Sequence, residues 1–337
     1  MQDQRTDPHP GAGHALDGTS AEGDVVTRDE LETRPHDQRL GALARLDHLR
    51  TLLREMDSAV VCYSGGVDSA FVLAVAHEVL GDRAVGLTAV SPSLAPFEKE
   101  AAIAVAAQIG ARHETVESNE IERPGYVANA SDRCFHCKSE LYEIAEQKKL
   151  EWGLRHVLNG TNVDDLGDHR PGLEAAKNAS VRSVLVELGF RKDDVRFCAQ
   201  HIGLTIWDKP ASACLSSRIP YGTAVTRERL AQIGGLEADL RRLGLRQIRA
   251  RWHALPGASA AGPSTQGSMV GSAASAAEPA LARIEVNRDE LAKAFAMRDA
   301  IVEAGNRFGF KYVTLDLQGY RMGSHNEVLA GRSLRVI

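Results

Sequence analysis

The sequence predicts an α/β protein, a parallel-sheet domain followed by a smaller α+β domain. Three observations carry that expectation. Short apolar runs alternate with helix-like stretches as far as about residue 222, the pattern of a parallel sheet covered on both faces. A glycine turn, Ser64 to Ser69, stands between one such apolar run and a helix, so it borders free N–H donors. After Tyr221 the order changes to helix, strand, strand, helix, strand.

Residues 1–38 are rich in Asp, Gly, His, Pro and Thr without an apolar period, which predicts a disordered tail. Leu43, Leu46, Leu49, Leu52 and Leu53 share one face of a helix starting near Leu40. Ser58–Cys62 reads as a buried strand, and Ala70–Leu80 as a helix closed by Gly81. Strands at Ala84–Val90, His113–Val116 and His156–Gly160 follow, with helices at Pro96–Ile109, Ser183–Leu188 and Asp193–His201. These elements make a first domain over 39–222. The second, 223–337, has a helix at Thr226–Leu243 and strands at Gln247–Trp252 and Ala282–Val286. A helix at Arg288–Phe308 and a strand at Tyr312–Leu317 complete it. Residues 256–279 interrupt that domain with an Ala/Gly/Ser-rich stretch, which buries too little surface to order itself and predicts a flexible insertion.

The bulk numbers exclude some functions. A chain of 337 residues holds two domains. Its 40 basic and 45 acidic residues give a net charge of −5, which provides no field for nucleic acid and disfavours an RNA substrate. No run of 18 apolar residues and no basic-then-apolar leader is present, so a cytoplasmic location without membrane insertion is expected. Five cysteines, at 62, 134, 137, 198 and 214, read as core residues, ligands or nucleophiles rather than a disulfide framework.

Within SGGVDS, Gly65 and Gly66 let the backbone approach phosphate oxygens, and Ser64 and Ser69 add hydroxyl donors at a helix N-terminus. There is no GxxxxGK[ST] loop. The string resembles the signature of PP-loop ATP pyrophosphatases (adenine nucleotide alpha hydrolase-like folds). That implies ATP cleavage between the α and β phosphates, with Asp68 helping to hold Mg²⁺. Such enzymes adenylate an acyl or imidoyl group, and the loop alone does not choose the substrate.

Cys134-Phe-His-Cys137 places two thiols on one turn. With Cys214 they supply three ligands for a [4Fe–4S] cluster with one open iron. A zinc site completed by His136, or a helix start with no ligand at all, are the alternatives. Cys62 in an apolar run and Cys198 on a helix read as core. Cys214 follows Pro210 in a Ser- and Arg-containing segment, where Arg218 is expected to lower its pKa. Nucleophile and cluster ligand are both open to it.

Six segments carry a family resemblance: SGGVDSA (64–70), DRCFHCK (132–138), GTNVDD (160–165), WDKPASACLSSRIPYG (207–222), ARIEV (282–286) and LDLQGYRMGSHN (315–326). Together they resemble the LarE family of sulfur transferases, from about residue 40 to the end apart from the insertion. The resemblance implies adenylation of a pyridinium-3,5-biscarboxylic acid mononucleotide and its conversion to a thiocarboxylate for the nickel-pincer cofactor. Some members sacrifice the sulfur of one cysteine, and others bind a [4Fe–4S] cluster. Three matching cysteines imply the second kind here. Cys214 matches the sulfur-transfer position, and Arg218, Arg249 and Arg251 match the phosphate-binding positions. Guanidinium forks suit a dianionic phosphate, and residues 249 and 251 face one side of a strand. Asn162 and Asp165 lie just past a strand's carboxyl end and are implied at ATP or Mg²⁺. His136 and Trp207 read as packing. A homo-oligomer and a separate sulfide donor are expected. An iron–sulfur tRNA thiolase is the competing reading, weakened by the acidic charge and by the lack of a basic RNA-binding appendage.

Overall fold

The computed structural model describes residues 33–167, 171–256 and 279–321. Most of the expected tail, nearly all of the expected insertion and Met322–Asn326 of the last motif lie outside the described residues.

The chain enters through α1 (His36–Met56), which starts before Leu40 because Pro35 and the acidic Asp37 favour a helix start without adding apolar signal. Arg34 anchors this entry by pairing with Asp194 and lying over the Phe197 ring. β1 (Ala59–Cys62), β2 (Ala84–Val90), β3 (Arg112–Glu117) and β4 (His156–Leu158) form a parallel sheet in the order β3-β2-β1-β4. α2 (Val67–Leu80) and α3 (Pro96–Ile109) connect the first three strands, each ending on a glycine, Gly81 or Gly110, with positive φ.

The inner strands β1 and β2 are buried on both faces, as expected of a covered parallel sheet, whereas the edge strand β3 has no buried residue. Leu49, Leu53, Val61, Phe71 and Phe190 belong to the core on the side of α1, α2 and α8 (Lys192–His201). Val60, Cys62, Leu87, Tyr142 and Ala145 form the core on the other side, under α5 (Arg133–Glu151) and α6 (Pro171–Asn178). Neither α5 nor α6 is anticipated by the sequence pattern. Short helices α4 (Pro124–Val127) and α7 (Val184–Glu187) complete this part.

The second part has α9 (Arg227–Arg242), capped by Thr226, whose Oγ1 accepts from Arg229 N. It packs on a three-stranded sheet of β5 (Ile248–Ala254), β6 (Ala280–Val286) and β7 (Phe310–Leu315). β5 and β6 are antiparallel, β6 and β7 parallel. The bond from Leu255 N to Pro279 O (3.3 Å) closes the mouth of the interrupted hairpin. The single helix expected over Arg288–Phe308 is instead a short turn followed by α10 (Leu291–Ala296) and α11 (Arg298–Arg307). The break at Met297 lets α11 lie on the sheet, where Gly305 sits so close that a Cβ would meet Val313 Cγ2 at 2.3 Å. The core of this part also contains Ala95, Ile121 and Tyr126 from the first part. No helix among the described residues is long and apolar enough to cross a membrane.

Candidate active site

The loop between β1 and α2 has the form that an anion needs. Gly65 adopts φ +74°, and a Cβ there would meet Ala102 Cβ at 2.7 Å. Ser64 N donates to Ser69 Oγ (3.1 Å), and the two hydroxyls are 3.1 Å apart, which folds the turn over the first residues of α2. No side chain caps the α2 N-terminus. Its free donors and the glycine cradle therefore fit a phosphate group. Opposite, Gly160 at the end of β4 packs flat on the same turn, and a Cβ there would meet Ser69 N at 2.6 Å. Asp68 accepts from Asn162 Nδ2 (3.3 Å) and from Lys192 Nζ (2.5 Å). Asp165 accepts from Asn162 N, so it shapes the turn that presents Asn162. The carboxylate of Asp68, oxygen-rich and at the loop, fits a Mg²⁺ ion.

Residues 207–222 run from this loop to the second sheet. Lys209 Nζ donates to Gly65 O (3.0 Å) and pairs with Glu98 (2.8 Å), and Ser212 also bonds Glu98. Leu215 N bonds Ser93 O (2.8 Å). Asn129, buried with φ +52°, donates to the carbonyls of Ile219, Pro220 and Thr223. Arg133 donates to Ser216 O (3.0 Å) and Asn129 Oδ1 (2.5 Å). The segment is thus fixed on several sides, with Cys214 at its exposed crest.

The Cys214 sulfur lies 2.9 Å from Ser216 Oγ. Dense surroundings alone would raise its pKa. The Arg133 guanidinium, the Ser216 hydroxyl and Arg218 together outweigh that and hold the thiol below its ordinary value. Arg218, expected to lower it, does so after Arg133 and Ser216.

Ion pairing distinguishes the three arginines. Arg218 makes a two-pronged pair with Glu237 (2.9 and 3.1 Å), and the pair is 3% and 0% exposed. Its third nitrogen bonds the carbonyls of Ala213 and Cys214. Arg251 makes the same kind of pair with Glu285 and reaches Ser217 O (2.9 Å). Arg249 has no ion pair with a carboxylate among the described residues. It donates to Ile248 O (2.9 Å) and Ala211 O (3.4 Å), and lies 5.1 Å from the Tyr320 ring centre. Burial, then the Arg218 charge, depress its pKa. Arg249 is therefore the guanidinium with most to gain from an incoming anion.

The thiols of Cys134 and Cys137 sit one turn apart at the start of α5. Burial, then the Cys214 charge, push Cys137 up to about 12, and Cys134 adds to the same effect, so the three share one neighbourhood. Their donor chemistry fits an iron–sulfur cluster, with Arg133 as a counter-charge to Cys134 and Cys214. The spacing is open: among the described residues no group of three or more His, Cys, Asp or Glu stands ready to hold a metal. His136 turns away onto Gly125 and pairs with Asp132. Trp207 packs against the first core. Cys62 and Cys198 are buried, and burial pushes each up to about 12.

Sequence reasoning did not single out Gly160, Arg133, Lys192, Lys209, Glu237 or Glu285. Glu285 does leave a trace, as a charge between Ile284 and Val286.

Comparison with known proteins agrees with this layout. The NAD synthase family profile matches residues 44–142, the stretch that holds the phosphate loop. The chain is 44% identical over 290 residues to an uncharacterised protein of Synechocystis sp., covering 85% of this chain and 98% of that one. It is 26% identical over 282 residues to an uncharacterised protein of Methanocaldococcus jannaschii. Over 283 residues it is 32% identical to the pyridinium-3,5-bisthiocarboxylic acid mononucleotide synthase of Lactiplantibacillus plantarum, covering 84% of this chain and 94% of that enzyme. Identity at that level, sustained along almost the whole synthase, means that this chain belongs to the LarE-type sulfur transferases, a family built on the PP-loop fold.

Proposed function

We propose that the chain adenylates a carboxylate of pyridinium-3,5-biscarboxylic acid mononucleotide at the expense of ATP and converts it to a thiocarboxylate. One observation carries this reading: residues 207–222 bridge the phosphate loop and the arginine strand. Lys209 holds one end at Gly65, while Arg249 and Arg251 hold Ala211 O and Ser217 O on either side of Cys214. A sulfur between a nucleotide site and an anion site suits a substrate that carries its own phosphate.

The loop holds the ATP phosphates while the substrate carboxylate attacks the α-phosphorus. Pyrophosphate leaves and an acyl-adenylate forms. Mg²⁺ at Asp68 would offset charge on the phosphates. A sulfur nucleophile then attacks the acyl carbon and expels AMP. If Cys214 is that nucleophile, a thioester forms. Loss of its Cα proton then breaks the Cβ–S bond, leaving a thiocarboxylate and dehydroalanine. If Cys134, Cys137 and Cys214 instead hold a [4Fe–4S] cluster, the bound cluster supplies a sulfide that is not taken from the protein.

With Mg-ATP and the mononucleotide, the products should be AMP and pyrophosphate, and Asp68→Ala should abolish both. ADP and phosphate would refute the reading. The sulfur source is read from intact mass beside iron content. Cluster chemistry gives about four irons, repeated turnover with added sulfide and an intact Cys214. Sacrifice gives one turnover and the mass loss of H₂S at Cys214, and Cys134→Ala should leave that turnover in place.

A further inference from the structure

Arg218, Arg249 and Arg251 are all buried, and a buried guanidinium needs something to offset its lost hydration. Arg218 finds it in Glu237 and Arg251 in Glu285, each through a two-pronged pair. Arg249 pairs with no carboxylate among the described residues, and Arg218 and Arg251 act on it as like charges. Its guanidinium instead lies over the Tyr320 ring, 5.1 Å from the ring centre. The two kinds of partner differ in what they leave behind. A carboxylate cancels the charge and occupies two N–H groups. A ring face stabilises the cation through its quadrupole and occupies none. A guanidinium carries five N–H donors. Arg249 donates to Ile248 O (2.9 Å) and Ala211 O (3.4 Å), both neutral acceptors. The cation therefore stays uncancelled, with donors left over for an anion.

The ring is placed by its own backbone. Tyr320 N donates to Val286 O (2.7 Å) at the end of β6, after Asp316 N has bonded Ile284 O (2.8 Å). Gly319 turns the chain between these bonds with φ +70°, so close to β6 that a Cβ would meet Val286 O at 2.9 Å. Arg288 Nε adds a bond to Gln318 O (3.3 Å). These contacts belong to the main chain at residues 316–320, so they survive loss of the ring. We infer that Tyr320 is a positioning residue for recognition of the substrate's phosphate, its ring face holding the Arg249 guanidinium charged and aimed while leaving its donors to the anion. The inference rests on the reading of Arg249 as a phosphate ligand. It requires the aromatic face of Tyr320 and not its hydroxyl.

The test uses the full chain and calorimetry with three ligands: the biscarboxylate mononucleotide, the same compound without its phosphate, and Mg-ATP. Tyr320→Leu should weaken the mononucleotide about tenfold or more, the loss of one desolvated cation–π contact. The dephosphorylated compound and Mg-ATP should bind as they do to the wild type. Tyr320→Phe keeps the ring and should retain the mononucleotide affinity. In an Arg249→Ala background Tyr320→Leu should cost nothing further, because the group it positions is gone. Should the Leu variant not fold, Tyr320→Met carries the same comparison. Equal weakening of the compound with and without phosphate would assign Tyr320 to packing and overturn the proposal. A further loss in the Arg249→Ala background, or a Phe variant as weak as the Leu variant, would do the same. If Arg249→Ala bound the mononucleotide as tightly as the wild type, the phosphate reading of Arg249 itself would fall. A weakened Arg249→Ala beside an unaffected Tyr320→Leu would sink this inference alone.

Discussion

Replacing Gly160 with alanine tests whether β4 and the phosphate loop are one rigid unit. The added Cβ would lie 2.6 Å from Ser69 N, 2.8 Å from Ser69 Cα and 3.0 Å from Asp68 C, where ordinary contact begins near 3.4 Å. All three are backbone atoms, so no side chain can rotate away. Either the first turn of α2 or the end of β4 must move by the better part of an ångström. Overpacking of this kind costs about 1–3 kcal/mol of stability. A misplacement approaching 1 Å at a reacting group lowers turnover by on the order of 100-fold. Urea unfolding gives the first quantity, and AMP release at saturating ATP gives the second. Gly189→Ala is the control: its φ of +71° strains an alanine, but nothing lies within 4 Å of the new Cβ. It should lose some stability and keep its turnover per folded molecule. A Gly160→Ala protein with wild-type unfolding midpoint and wild-type AMP release would show that the close approach is not a constraint.

Glu237→Gln leaves Arg218 buried without its counter-charge, and should lower the unfolding free energy by about 3–5 kcal/mol; an unchanged urea midpoint would contradict the buried pair. Arg249→Ala removes the arginine with no carboxylate partner among the described residues. Mononucleotide binding should weaken by about 1.5–3 kcal/mol while ATP binding holds, and equal loss of both ligands would reassign Arg249 to the fold. Burial holds His113, His156 and His253 below the ordinary value of 6.5, assisted at His156 and His253 by neighbouring cations. Between their folded values and 6.5 the unfolded chain binds more protons, so stability should fall as pH drops through that window. Urea midpoints on either side of it measure the slope, and His113→Gln should reduce the slope by its share. A slope unaltered in that variant would remove His113 from the account.

The elements that were legible in the sequence are those whose buried face is apolar. α3 is found at its full extent because alanines and valine line its inner face and Gly110 stops it. α5 escaped because its buried positions are Arg133, Glu140, Tyr142 and Ala145, so a 3.6-residue period of apolar residues never forms. The same cause hid much of the site. SGGVDS and Cys214 are recognisable as strings, since a glycine turn and a lone thiol carry their chemistry locally. Glu237 acquires meaning only from Arg218 nineteen residues earlier in the chain, and Lys192 only from Asp68, 124 positions away. Such pairings are made by the sheet order and by the helix that follows it, not by spacing.

Because Ala95, Ile121 and Tyr126 lie in the same core as Leu230, Ile233 and Trp252, the seam after residue 222 is not a place where the molecule comes apart. Cutting the chain there would expose apolar surface on both fragments, so the two portions should melt in a single transition. A graft of the C-terminal portion onto a relative would need those three residues to travel with it. The two portions cannot swing as independent bodies, and accommodation of substrates of different size falls to the segment 207–222 carrying Cys214, which is held largely by hydrogen bonds to carbonyl groups.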